Sequence, residues 1–234
     1  MKKIFLFVLL TCLIARALAQ AYKPEYGKPL VVLTQVDPWV MVIGSDAPTF
    51  ALYQNGQILY KKTIANKIKY FQTSVPIDKI PETLRKLNVT DSLKKLPSNI
   101  VGTTASDQPT NLLMLDLSFR KGIQVYGSLF NTKRIGRQKT PKAFLNAFDK
   151  LTNFQDPKAK EWLPDNIEVM LTSYSYSPQT PMNWPTEWPN LKDKHTVRRN
   201  VDQYSIYIDR KELDKLKKIV SLLGEKQAIK VSGR

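Results

Sequence analysis

Cysteine and histidine are nearly missing from this chain: 234 residues hold only Cys12 and His195. Cys12 stands inside an apolar N-terminal run, so everything after that run is free of thiols. Disulfides and thiolate chemistry are thereby excluded from the body of the protein. Zinc, which draws on Cys and His, is left without a ligand set. His195 sits among Lys192, Lys194, Arg198 and Arg199. No nucleophile motif of the G-x-S-x-G kind accompanies it. Ser92-x-x-Lys95 and Ser118-x-x-Lys121 reproduce the spacing of acyl-serine enzymes, but the companion elements are missing and chance explains both. No glycine-rich phosphate loop and no calcium loop occurs. The reading therefore names no catalytic residue, no metal and no cofactor. The carboxylates Asp165 with Glu168, and Glu187 between two tryptophans, are the candidates for acid–base work. They read more simply as solvated charges.

Long hydrophobic runs are also missing. The longest, Ile4 to Ala15, is well short of the roughly 20 residues a spanning helix needs. It follows Lys2-Lys3 and precedes Ala17-Leu18-Ala19, the small-x-small pattern of a signal-peptidase site. Residues 1–19 are thus expected to be a cleaved secretory leader. The protein is expected to be exported, periplasmic or secreted after cleavage near Ala19, with no transmembrane span in the mature chain. Loss of Lys2, Lys3 and Arg16 lowers the formal charge from +16 to about +13. Cleavage after Ala19 exposes Gln20. The leader looks like those of didermal bacteria in which such a glutamine cyclises, and that resemblance implies a pyroglutamate terminus.

What remains reads as alternating strands and amphipathic helices. Phe50 to Lys61 around Asn55-Gly56 predicts a hairpin with a two-residue type I′ turn, Tyr53 facing Ile58 and Leu52 facing Leu59. Ile68 to Val75 predicts a strand, and Asp78 to Leu87 a helix. Thr90 is expected to cap a short helix. Leu113, Leu115 and Leu117 predict one strand, Ile123 and Val125 its return, with Arg120-Lys121-Gly122 as the turn. Thr140-Pro141 predicts a helix start, with Phe144, Phe148 and Leu151 as its buried stripe. A short helical turn is expected to carry Trp162. Ile167, Val169 and Leu171 predict a strand, and so do Tyr204, Ile206 and Ile208. Asp209 and Glu212 predict a capping box on a helix whose stripe is Leu213, Leu216, Val220 and Leu223. The fold class is α+β: a mostly antiparallel sheet built from β-hairpins, with three or four packed helices. Residues 20–234 read as one domain, or as two hairpin–helix halves near 30–100 and 105–234.

The most unusual segment is Asn183-Trp184-Pro185-Thr186-Glu187-Trp188-Pro189. Each Trp-Pro step holds the tryptophan backbone extended. Trp184 and Trp188, with Tyr174 and Tyr176, form a candidate aromatic platform for a glycan or peptide. The competing reading pins the loop to a core with both indoles. Lys192, Lys194, Arg198 and Arg199 form a candidate anion-binding cluster beside it. Further basic groups lie at Lys61-Lys62 with Lys67 and Lys69, and at Lys211 to Lys218. The partners this charge suggests are anionic envelope polysaccharide, anionic lipid headgroups or an acidic protein. No specific nucleic-acid signature is present.

Pro48 to Tyr60, Ala105 to Thr110 and the Trp-Pro loop resemble segments of exported bacterial proteins of uncharacterised function. The resemblance implies an exported bacterial globular protein and carries no catalytic residues. The functional expectation is a non-enzymatic binding or accessory protein of the bacterial envelope. The alternatives are a hydrolase acting on envelope polymers through Glu187 or Asp165, and an inhibitor or immunity-type protein that caps an acidic partner.

Overall fold

Alternation of apolar residues decides the first sheet. In β1 (Pro29–Val36), Val31 and Leu33 are fully buried while Val32 and Thr34 are half-buried. β6 (Thr110–Asp116) repeats this with Leu113 and Leu115, and β7 (Arg120–Tyr126) with Ile123 and Val125. The computed structural model describes residues 24–39, 47–130, 135–173 and 176–232. Residues 1–23, which include the expected leader, and residues 40–46 lie outside them. Two compact units divide the chain, one ending at Trp162 and one starting at Leu163.

The first unit adds β2 (Phe50–Tyr53), β3 (Gln57–Ile64), β4 (Lys67–Ser74), β5 (Asn99–Val101) and β8 (Lys160–Glu161). The strand order is β5-β7-β6-β1-β2-β3-β4-β8, antiparallel except for β5 beside β7. Central β1 joins the two hairpins, pairing Val32 with Ala51 on one side and with Met114 on the other. One face of the sheet is covered by α1 (Ile80–Lys86) and α3 (Lys142–Thr152), with α2 (Ile135–Lys139) just before α3. In α3 the buried residues Phe144, Ala147, Phe148 and Leu151 follow the i, i+3, i+4, i+7 rule of a helix face. The α+β class and the dominance of antiparallel hairpins are as the sequence predicts.

Several local expectations need correction. The first hairpin pairs Leu52 with Ile58 and Ala51 with Leu59, one residue out of the expected register. Its loop is Gln54-Asn55-Gly56, closed by Gly56 N–H donating to Tyr53 O at 3.0 Å. Only Gly56 has positive φ there (+84°), so the loop is a turn ending in a glycine bulge. A Cβ at Gly56 would lie 1.9 Å from Val75 O, so that position needs glycine. The two-residue turn with both φ positive belongs instead to β3–β4, at Ala65 (48°) and Asn66 (59°). The second hairpin turns at residues 117–119, since Asp116 already pairs with Arg120. Thr90 stands at the N-cap position but its side chain makes no capping bond, and the segment after it is a 3-10 helix, Asp91–Lys95. Pro141, not Thr140, is the N-cap of α3, while Thr140 Oγ1 donates back to Gly136 O at 2.7 Å. Trp162 follows β8 rather than riding a helical turn.

The second unit is built on β9 (Asn166–Thr172) and β12 (Gln203–Asp209), antiparallel, with β11 (Val197–Arg198) on the far side of β12. β10 (Met182–Asn183) and β13 (Ile229–Lys230) pair in parallel. Ile206 and Ile208 of β12 form a small core with Trp184 and Trp188, against which Leu216 and Ile219 of α4 (Leu213–Leu222) pack. Val220 is 55 % exposed, so the expected stripe through it is turned by one position toward Ile219. Asp209 accepts from Lys211 N–H as expected, but a 3-10 turn, Arg210–Glu212, precedes α4. The Glu212 side chain is engaged elsewhere.

Candidate functional site

The Trp-Pro segment is where sequence reasoning and structure meet most directly. Trp184 and Trp188 are 4 % and 5 % exposed. Their rings meet edge-to-face with centroids 5.0 Å apart. Trp184 Nε1 donates to Pro189 O at 2.8 Å and closes the segment on itself. Trp188 Nε1 donates to Glu212 Oε2 at 3.0 Å and ties the segment to the start of α4. Lys215 of α4 lies over the Trp188 ring, 5.3 Å from its centroid, and forms an ion pair with Glu187. The extended backbone that proline imposes thus delivers both indoles into the core. Their N–H groups find internal acceptors, as buried indoles require. This corrects the exposed-platform expectation for Trp184 and Trp188. Tyr176 is 69 % exposed, and Tyr174 lies outside the described residues.

Just outside the buried indoles is an open depression of about 380 Å³, lined by Glu187, Trp188, Pro189, Asn190, Lys192 and Asp193. Its rim mixes two carboxylates, an ammonium and an amide. The Asn190 and Asp193 side chains accept backbone N–H bonds from Lys192 and His195, both at 2.8 Å, which shapes the turn. Lys215 holds the Glu187 carboxyl below its ordinary value, first by hydrogen bonding. Glu187 is therefore ionised at neutral pH and poorly suited to give up a proton as a general acid. Asp165 is paired with Arg210 at 3.5 Å. His195 is exposed.

The four basic candidates divide. Lys192 and Lys194 are exposed on the loop after Trp188, and Lys192 reaches the depression. Arg198, in β11, lies 6.0 Å from the centroid of the Tyr204 ring and donates to Asn200 O. Arg199 turns inward. Its Nε donates to Ser205 Oγ and its Nη2 to Glu168 Oε1 and to the Tyr207 hydroxyl, all at 2.9 Å. Ser205, fully buried, donates to the same Glu168 oxygen at 2.5 Å. Burial first, then the Glu168 charge, raises the Tyr207 phenol above its ordinary value. Arg199, exposed as a residue, is thus matched by a carboxylate and two hydroxyls and braces β9 against β12. Ser205 and Tyr207 were not legible as site residues, because they meet Glu168 only across the strand pair.

No family model matches this chain, and no curated protein or solved structure does either. Function must be read from the residues themselves. Among the described residues no group of three or more His, Cys, Asp and Glu side chains is placed to hold a metal ion. No described helix is long and apolar enough to cross a membrane.

Proposed function

We propose that this is an exported, non-enzymatic binding protein of a bacterial envelope, which holds an anionic partner through surface lysines and arginines. The partner class is an acidic polysaccharide of the envelope or an acidic protein. One observation carries the reading: Lys192 and Lys194 stand exposed on a loop whose buried indoles fix it to the core, and Arg198 stands exposed in β11 just after it. The formal charge supports it, +16 for the whole sequence and about +13 without residues 1–19. Even with every carboxylate matched by a cation, a large positive excess remains to draw anions to the surface. The buried indoles are the frame of the loop, and its cations are its reach. The ion pair of Glu187 with Lys215 weighs against the hydrolase reading. Export rests on the leader, residues 1–19.

The test is binding of the purified mature chain to immobilised acidic polysaccharides, acidic proteins and neutral glycans, at low and moderate salt. Retention by one acidic class that weakens with salt supports the proposal, since screening shortens the reach of exposed charges. Equal retention by neutral glycans contradicts it.

A further inference from the structure

The outer half of the β3–β4 hairpin stands apart from its sheet. Among the described residues, β2 pairs with β3 from Ile58 to Tyr60 and β8 with β4 at Phe71 and Gln72, and one further backbone bond on each side, Lys61 N–H to Thr49 O and Trp162 N–H to Tyr70 O, is the outermost. β3 and β4 nevertheless go on pairing with each other to Ile64 and Lys67. The outermost residues are a two-stranded arm, exposed throughout from Thr63 to Ile68. Such ribbons are marginal alone, and the tight turn at Ala65-Asn66 holds this one together.

The composition of the arm is unusual for an exposed ribbon. From Lys61 to Lys69 it holds four lysines and no acidic residue. Lys62 lies directly opposite Lys69, a like-charge pair that costs stability. That cost is met in part at the root, where Glu161 binds Lys69 at 2.9 Å and Gln155 accepts from Lys62 at 2.8 Å. At the tip, Ile64 and Ile68 are 45 % and 61 % exposed. They flank the turn on opposite faces of the ribbon, since Thr63 pairs with Ile68 and Ile64 with Lys67. Lysines alone would serve to block edge-to-edge pairing. Two exposed isoleucines beyond them work against that purpose.

We infer that this arm docks on an anionic phospholipid surface. Ile64 and Ile68 enter the boundary between headgroups and acyl chains, and Lys62, Lys67 and Lys69 meet the phosphates. The spacing suits this. Ile64 lies two strand positions from Lys62, about 7 Å at the usual rise, which matches the roughly 5–10 Å depth of interfacial insertion. Lys67, level with Ile64, has a stem long enough to lift its ammonium back to the headgroups. The inference goes beyond the proposed function and names a second anionic partner, bound by this arm.

The experiment is flotation of the mature chain, without residues 1–19, with vesicles of phosphatidylcholine alone, or of phosphatidylcholine mixed with phosphatidylglycerol. Soluble dextran sulfate binding is measured in parallel. The expected result is binding to the mixed vesicles only. Ile64→Ser/Ile68→Ser should weaken it about tenfold while leaving dextran sulfate binding unchanged. Lys62→Gln/Lys67→Gln should weaken it by about fivefold per charge. Ile64, Lys67 and Ile68 are exposed and Lys62 is half-buried, and unchanged thermal melting confirms that both variants fold. Mixed-vesicle binding that neither variant alters would overturn the inference. A chain that binds dextran sulfate but no vesicle would overturn it while leaving the proposed function standing. A chain that binds neither would overturn both.

Discussion

The indole N–H of Trp188 donates to the carboxylate of Glu212 at 3.0 Å, across the gap between a proline-stiffened loop and the first turn before α4. Glu212 stands three residues after Asp209, the capping-box position, yet its side chain serves the indole instead. The loop that carries Lys192 and Lys194 is therefore anchored by a partly buried hydrogen bond as well as by apolar packing.

Truncating either indole should cost stability before it costs binding. Trp184→Ala is expected to lower unfolding free energy by about 3–5 kcal/mol. Trp188→Phe keeps most of the ring but removes the donor to Glu212, a loss of about 1 kcal/mol. Urea denaturation with unchanged m-values checks both. A Trp188→Phe variant of unaltered stability would mean that the indole bond carries no net weight.

Asn111 should behave as an internal clamp. It is fully buried, with Nδ2 donating to Val125 O and Gly127 O at 3.3 and 2.8 Å and Oδ1 accepting from Gln35 Nε2 at 2.8 Å. Asn111→Leu leaves those partners without it and is expected to cost roughly 1–3 kcal/mol. Asn111→Asp, nearly the same shape, should cost more, because its carboxylate would face two carbonyl oxygens. Thermal melts of the two variants order the effects.

Acid should release one contact at a defined residue. Thr73 Oγ1 donates to Asp156 Oδ2 at 2.6 Å, and this bond, then the Lys158 backbone N–H, holds the Asp156 carboxyl below its ordinary value of 3.8. A lowered folded value means that the ionised form is favoured by folding. The contribution is thus complete above the unfolded value and is lost as pH falls through the lower folded one. In Thr73→Val, the Asp156 midpoint followed by NMR should move up toward 3.8.

The sequence makes the alternating strands legible because each buries one face. Leu113 and Leu115, or Ile206 and Ile208, can point only one way. The stripe of Phe144, Phe148 and Leu151 is legible for the same reason at helical spacing. The register around Asn55-Gly56 is not, since one glycine satisfies either a two-residue turn or a three-residue loop with a bulge. Trp-Pro stiffness shows that Trp184 and Trp188 are held extended but not on which side of the loop the rings fall. Glu168, Arg199, Ser205 and Tyr207 converge only after β9 and β12 pair, a contact between distant segments that no local pattern encodes. The β3–β4 arm escapes notice because Ala65-Asn66 is a weak turn signal compared with Asn-Gly.

The division of the basic residues into reaching and bracing groups is the most direct handle on the proposed function. Salt-dependent affinity for an acidic polysaccharide should be measured for the mature chain, for Lys192→Gln/Lys194→Gln/Arg198→Gln and for Arg199→Gln. The triple variant should bind more weakly and depend less on salt, with stability unchanged. Arg199→Gln should lose stability, because Glu168 and Ser205 lose their cation, yet bind as tightly as the parent chain. A triple variant that binds with undiminished affinity and the same salt dependence would contradict the assignment of the anionic partner to this loop.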